Sequence, residues 1–200
     1  MTESVQWFRP TSGRVIGSLG LAAAAAVLVL ALVDWSSSAS LPTAAGAALA
    51  GVLIWAAMLR PRVGLTGSTL VLRNMFETVH LPLAAVEQLA VRQFLAVRVG
   101  ERRYVSSALG HSMRSLVWSA AKEKRGSGLR TPEQVTELKY AEIVEQQIRA
   151  ATEEARAVAG VSLMSDEQLA LAAGVRRDRA WLELGLTLGL AVVLVLAVLL

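Results

Sequence analysis

Three long apolar runs set the pattern of the chain. Val15 to Val33 holds nineteen positions without a charge, Thr43 to Leu59 holds seventeen, and Trp181 to Leu200 holds twenty with Glu183 as its one charge. A helix of about 20 apolar residues crosses the roughly 30 Å hydrocarbon core of a bilayer, so each run predicts a transmembrane helix. Glu183 lies two residues inside Trp181, an interfacial residue type, and Arg179, one helical turn back, is its expected partner. The chain then divides into an N-terminus (1–14), a first span (15–33), an outer loop (34–42), a second span (43–59) and a third span (181–200). A non-membrane region lies between the second and third.

Within that region the period changes to two. "VGLT", "STLVLRN", "FETVHLP", "VEQLAVRQ", "FLAVRV" and "RRYVSS" alternate between apolar and polar positions, and turn residues separate them at Thr66-Gly67, Asn74-Met75 and Gly100-Glu101. Six short strands at this spacing predict a small antiparallel β-domain, with Leu70 and Leu72 on its core face and Thr69, Val71 and Arg73 on the other. "HSMRSLVWSAAKEKR" places Met113, Leu116, Val117, Ala120 and Ala121 on one helical stripe, a helix that closes the domain over residues 62–125. Gly126-Ser127-Gly128 begins a linker (126–131). Thr131, Pro132 and Gln134 sign the start of a long helix, 132–159, whose Val135, Leu138, Ala141, Val144, Ile148, Ala151, Ala155 and Val158 form a narrow apolar seam beside many acids. Such a seam needs a partner. A short helix follows over 165–175, with Ser165 and Gln168 as a second capping box.

Composition agrees with a membrane protein: 54% of residues are hydrophobic and only 5% aromatic. Arg9 and Arg14 precede the first run, Arg60 and Arg62 follow the second, and "RRDR" (176–179) precedes the third, whereas "DWSSSASLP" has neither Lys nor Arg. The positive-inside rule therefore places the N-terminus and residues 62–180 in the cytoplasm and the C-terminus outside, in a multi-pass protein of the inner (plasma) membrane. A cleaved signal peptide is the rival reading of the first run, but the run is long for a signal core and a second follows at once. There is no cysteine, hence neither a disulfide nor a thiolate metal site. From Arg92 to Arg130 nine Arg and Lys stand against two Glu, a net of +7, while from Glu133 to Glu167 three stand against eight, a net of −5. The first stretch should seek an anionic leaflet and the second avoid it.

Catalytic motifs are poorly supported. "GHSMR" (110–114) has Arg114 where a nucleophile elbow needs Gly, so Ser112 and His111 read as helix-start residues. His80 and His111 lack the matching ligands of a metal site, and His80 reads as a residue on the wet face of a strand. Glu153 and Glu154 point about 100° apart on a helix and suit solvation. "GLTGS" lacks the Lys and spacing of a phosphate loop. The basic residues are dispersed without interleaved aromatics, which argues against nucleic acid. No enzyme, metal or cofactor is expected.

The order of an apolar hairpin, "RPRVGLTGSTLVLRNMFETVHLPLAAVEQLAVR", "VGERRYVSSAL" and a Trp-bearing helix resembles bacterial PH-like domain membrane proteins of the actinobacterial type. Leu70-Val71-Leu72-Arg73-Asn74 and Leu81 to Val86 carry the resemblance. It implies a small β-barrel or sandwich closed by a helix bearing Trp118, and hence a non-catalytic scaffold for a protein or anionic-lipid partner. The alternative is an accessory subunit of a membrane enzyme or transporter with a shared active site. The chain departs from that pattern in having six strands rather than seven, and in lacking a basic series around Gly67. The fold class expected is thus an α+β membrane protein: a transmembrane helical hairpin, an antiparallel PH-like β-domain, a long amphipathic helix and a C-terminal transmembrane helix. Arg73, Arg92, Arg98, Arg102 and Arg103 are the expected partner- or lipid-facing residues. Gly13 with Gly17, Ala47 with Gly51, and Gly185 with Gly189 are small-residue pairs for helix packing. Partners expected are membrane lipids, an unidentified membrane or cytoplasmic protein, and a second copy through helix 132–159 or the third span.

Overall fold

The computed structural model describes residues 5–8, 12–34, 39–91, 94–108 and 132–199. It is an α+β structure in two compact units. One comprises Met1–Pro10, Arg62–Asn74 and Thr78–Asp178, and the other Thr11–Pro61, Met75–Glu77 and Arg179–Leu200.

The helical unit contains α1 (Ser12–Val33), α2 (Ser40–Ile54, continued by a π-helical turn Trp55–Leu59) and a C-terminal helix, Trp181–Leu199. All three are long and apolar enough to span a membrane, over Arg14–Val33, Ser40–Leu59 and Trp181–Leu199. α1 and α2 form a hairpin, and the Ser40 hydroxyl donates to the Asp34 carbonyl at its turn. α2 therefore begins three residues before the apolar run that predicts it. Most of the large side chains on these helices are exposed, Leu19, Leu30 and Leu188 among them.

The β unit holds two antiparallel sheets. β1 (Gln6–Phe8), β2 (Arg62–Thr66), β3 (Thr69–Arg73), β4 (Glu77–Pro82) and β8 (Arg176–Arg179) form one in the order β1-β2-β3-β4-β8, while β5 (Gln88–Val91), β6 (Leu95–Val99) and β7 (Arg102–Ser106) form the other in sequence order. The period-two pattern is realised: Val63, Leu70, Leu72, Val79 and Leu81 from the first sheet and Leu95, Val97, Val99 and Tyr104 from the second bury into one apolar cluster. Gly100 turns the β6–β7 hairpin with φ +58°, a conformation that glycine adopts without strain. Gly64 lies under the Trp7 ring, where an added Cβ would stand 3.0 Å from the ring carbons.

The six expected strands are present and two more join them. β1 and β8 add to opposite edges of the first sheet, so "RRDR" is a strand as well as a basic cluster. The expected closing helix and linker fall on residues 109–131, outside the described residues. The long helix α3 (Pro132–Ala159) packs on the core, burying Val144 and Ile148 fully in the shared cluster with Ala151 and Ala155 against it. The seam thus has its partner within the chain. Val158, its last member, departs and is 84% exposed, while the side chains of Val135 and Leu138 lie outside the described residues.

Strand register fixes a further feature of the first sheet. Phe8 stands opposite Val63, Arg62 opposite Arg73, and Arg73 opposite Thr78. Ala180 N–H donates to the Phe76 carbonyl at 2.9 Å. The strand ends that lead into α1, out of α2 and into the C-terminal helix therefore all lie at one end of one sheet.

α4 (Asp166–Leu171) is capped as expected, with Ser165 Oγ accepting from Gln168 N–H at 3.2 Å. The Glu167 carboxyl is held below the usual carboxylate range by a backbone hydrogen bond and by the Ser165 hydroxyl. A depressed carboxylate stabilises the helix start above its unfolded pKa and loses that contribution as pH falls through its folded value. The Gln168 side chain does not reach back to Ser165. It is buried, donating through Nε2 to the carbonyls of Ala84 (3.1 Å) and Val86 (3.2 Å) and accepting at Oε1 from Met164 N–H (2.6 Å). This clasp ties α4 to the turn after β4. Gln168→Ala should lower stability by about 2–3 kcal/mol through lost hydrogen bonds and a small cavity, measured by denaturation of the full chain in detergent. An unchanged midpoint would show that the clasp contributes nothing.

Candidate functional site

The predicted arginines fall on two different sheets. Arg98 on β6 stands directly opposite Arg103 on β7 and opposite Gln88 on β5, so the three form one row across the outer face of the second sheet. Ala90, Ala96 and Val105 make the next row. Gln88, Ala90, Ala96, Arg98, Arg103 and Glu101 line an open basin of about 490 Å³. Like charges directly opposite on neighbouring strands repel, and here the repulsion is partly offset. Arg98 Nε lies 3.6 Å from the Glu87 carboxylate and donates to the Gly100 carbonyl at 3.3 Å. Arg103 has no ion pair among the described residues. Arg102 faces Val99 at the hairpin end and does not join the row. Arg73 lies on the outer face of the first sheet, opposite Arg62, and Arg92 is outside the described residues. The structure brings Arg98 and Arg103 together and keeps Arg73 apart.

His80 occupies a half-exposed outer position on β4, as expected for a wet strand face, with Nε2 3.4 Å from Asp178 on β8. Arg176 Nε contacts the other oxygen of Asp178 at 3.0 Å. This is a surface charge cluster, and such pairs contribute about 0–1 kcal/mol. Among the described residues no three His, Cys, Asp or Glu side chains group to hold a metal ion. His111 and Ser112 lie outside them.

In the helical unit the small-residue positions divide by role. A Cβ on Gly17 would stand 3.0 Å from Met58 Cβ, so Gly17 allows close approach of α1 and the end of the second long helix, whereas one on Gly51 would meet Leu21 and Ala24 at ordinary contact distance. Ala47 is buried on α2. The side chain at position 13 is not described. The C-terminal helix, Trp181–Leu199, is α5. A Cβ added at Gly185 or Gly189 would meet nothing within 4 Å, and α5 instead meets α2 where Gly46 approaches Leu194. Gly20, packed on Ile54, is a further close approach that the four-residue spacing did not pick out.

The strongest polar interaction is one that the local sequence misassigns. Glu183 does not pair with Arg179, whose guanidinium lies over the Trp181 ring at 5.6 Å from its centroid. Glu183 accepts from Arg60 Nε at 2.7 Å, with the two side chains 10% and 5% exposed, and Arg60 Nη1 also donates to the Met75 carbonyl at 3.1 Å. A guanidinium presents a rigid fork of donors and stays charged, which suits it to two acceptors at once. The available signal was compositional: Glu183 is the one acid in three apolar runs, and Arg60 sits at the end of another.

Compared with protein-family models, with curated proteins and with solved structures, the chain matches none of them.

Removing one partner of a buried pair leaves an unpaired charge and costs about 3–5 kcal/mol, whereas replacing both with apolar residues is much less damaging. Because the chain has no native cysteine, Gly46→Cys with Leu194→Cys supplies a clean crosslink between α2 and α5. Glu183→Leu should reduce its yield strongly, and Arg60→Met with Glu183→Leu should restore most of it. Equal yield in all three backgrounds would mean that the pair does not hold α5.

Proposed function

We propose that the protein is an inner-membrane protein whose three long helices cross the bilayer and whose β unit serves, at the cytoplasmic face, as a non-catalytic PH-like interaction module for a protein or anionic-lipid partner. The observation that carries this reading is the placement of all three links to membrane-length helices at one end of the five-stranded sheet. The exposed apolar surface of the three helices supports insertion, since hydrocarbon can cover it where water would not.

Two antiparallel sheets sharing one core support the PH-like reading; the helix expected to close it lies outside the described residues, and α3 packs on the same core as an addition. β1 and β8 go beyond it. The basic flanks Arg9, Arg14, Arg60, Arg62 and Arg176 to Arg179 support a cytoplasmic β unit. The Arg98–Arg103 face, with exposed Phe94 and Val105 beside it, is the surface offered to a partner. The uncovered Gly185–Gly189 face of α5 is where a second copy would pack.

A photoreactive residue at Ala96, in the full chain in native membranes, should form an adduct with one recurrent protein or with anionic lipid, and the same residue at Glu154 should not. Turnover of a substrate by the purified chain, or identical adducts from both positions, would contradict the reading. Gly185→Leu with Gly189→Leu should abolish self-association in a membrane two-hybrid assay. Unchanged association would remove that face as a contact.

A further inference from the structure

Among the described residues β1, β8, β5 and β7 form the edges of the two sheets, and three of these edges are guarded against further pairing. β8 is charged at all four positions, β1 is three residues long, and β7 carries Arg102 and Arg103 while its Val105 carbonyl accepts from Asn74 Nδ2 at 3.0 Å. Charge, shortness and an occupied carbonyl each discourage a further strand from adding. β5 has none of these devices. Its residues Gln88, Leu89, Ala90 and Val91 carry no charge, and β6 is their one neighbouring strand among the described residues. Gln168 occupies the carbonyls of Ala84 and Val86 just before β5, so the open edge begins where that clasp ends. Beside the edge runs a groove of about 380 Å³ between β5 and α3, with Leu89, Ala90, Arg149, Glu153 and Arg156 in its lining. On α3, Glu145, Arg149, Glu153 and Arg156 recur at steps of four, four and three residues, so they share one face and alternate in sign along it. Arg149 pairs with Glu145 at 2.8 Å, whereas Glu153 and Arg156 make no ion pair among the described residues.

We infer that β5 is the surface at which the β units of two copies of this chain meet, their β5 strands pairing antiparallel about a two-fold axis so that the two three-stranded sheets continue as one. A strand that pairs with its own copy meets the same residues again, so a strand rich in one charge repels itself and an uncharged one does not. A foreign strand finds no charge on β5 to recognise, whereas a second copy needs none. The α3 rim of the groove fits the same symmetry. Run antiparallel against itself, the alternating series sets Arg149 against Glu153 and Glu145 against Arg156, so that each charge meets its opposite. A strand pair this short is well below the size of a stable free interface, and the contact therefore forms between copies already held side by side. The inference rests on the reading above, in which α5 holds a second copy, and deepens it by naming the surface at which the β units join.

The test uses the full chain in native membranes and reads disulfide formation between copies on mild oxidation, which the absence of native cysteine makes unambiguous. Ala90→Cys on β5 should give a linked dimer. Val105→Cys, in the same outer row but on the far edge strand β7, should give almost none. In the Ala90→Cys background, Glu153→Arg should lower the yield about fivefold, because the symmetric pair then sets like charges together twice. Adding Arg149→Glu to that variant should restore the yield, since the reversed charges again meet their opposites. Equal yields from Ala90→Cys and Val105→Cys, or a yield that Glu153→Arg leaves unchanged, would overturn the inference. A disulfide from Ala90→Cys to a different protein, with no linked dimer, would overturn it in favour of a foreign strand. No linked dimer from a chain that still self-associates in the two-hybrid assay would remove this inference alone, whereas a wild type that does not self-associate would remove the reading of α5 as well.

Discussion

A guanidinium held 2.7 Å from a carboxylate among three apolar helices is the constraint on which the helical unit depends. Ions removed from water lose several kcal/mol of hydration each, and their attraction restores this only when geometry and additional hydrogen bonds are good. Arg60 meets that condition by serving Glu183 and the Met75 carbonyl together. An apolar helix has no hydrophobic reason to choose one apolar neighbour over another within hydrocarbon, so a directional bond at one end and close packing along the length must do so. Gly17 and Gly20, where an added Cβ would crowd Met58 and Ile54, supply that packing between α1 and the second long helix, and α5 meets α2 at Leu194 beside Gly46.

The β unit rests on a different principle. Its two sheets are short, with strands of three to six residues, and neither buries both faces. A single apolar cluster joins them, and α3 completes that cluster with Val144 and Ile148. Helix α3 is acidic on its exposed side, at Glu142, Glu153 and Glu154, and apolar only where the sheets meet it. Gln168 adds the directional element, because a buried amide with both ends satisfied fixes one register of α4 against the turn after β4.

Much of this architecture was legible because it follows from periodicity. Runs without charge give the three long helices to within a few residues, alternation gives β2 to β7, and a three-four repeat gives α3. Periodicity does not name partners. The seam of α3 could have been filled by a second copy as well as by its own sheets, and only the folded chain places Val144 and Ile148 in the core. Nor does it find strands whose residues are mostly charged. "RRDR" pairs with β4 through its backbone while its side chains work separately, Arg177 over the Tyr104 ring and Asp178 on His80. β1 is three residues long, too short for an alternating pattern to register. Glu183 was misassigned because helical spacing points to the nearest cation in sequence, whereas the pair that forms spans 123 positions. Of the expected partner-facing arginines, alternation placed Arg73 on an outer face, and cross-strand register decided that Arg98 meets Arg103 and that Arg73 meets Arg62.

The proposal that the three long helices cross a membrane, with residues 62–180 on its cytoplasmic side, is open to a direct test. A chain without native cysteine allows it to be tested with single substitutions, Ser38→Cys between the first two long helices and Gly128→Cys between β7 and α3, probed in intact cells with a membrane-impermeant maleimide. The account requires labelling of Ser38→Cys from outside, and of Gly128→Cys only after the membrane is permeabilised. Labelling of Gly128→Cys in intact cells would contradict it.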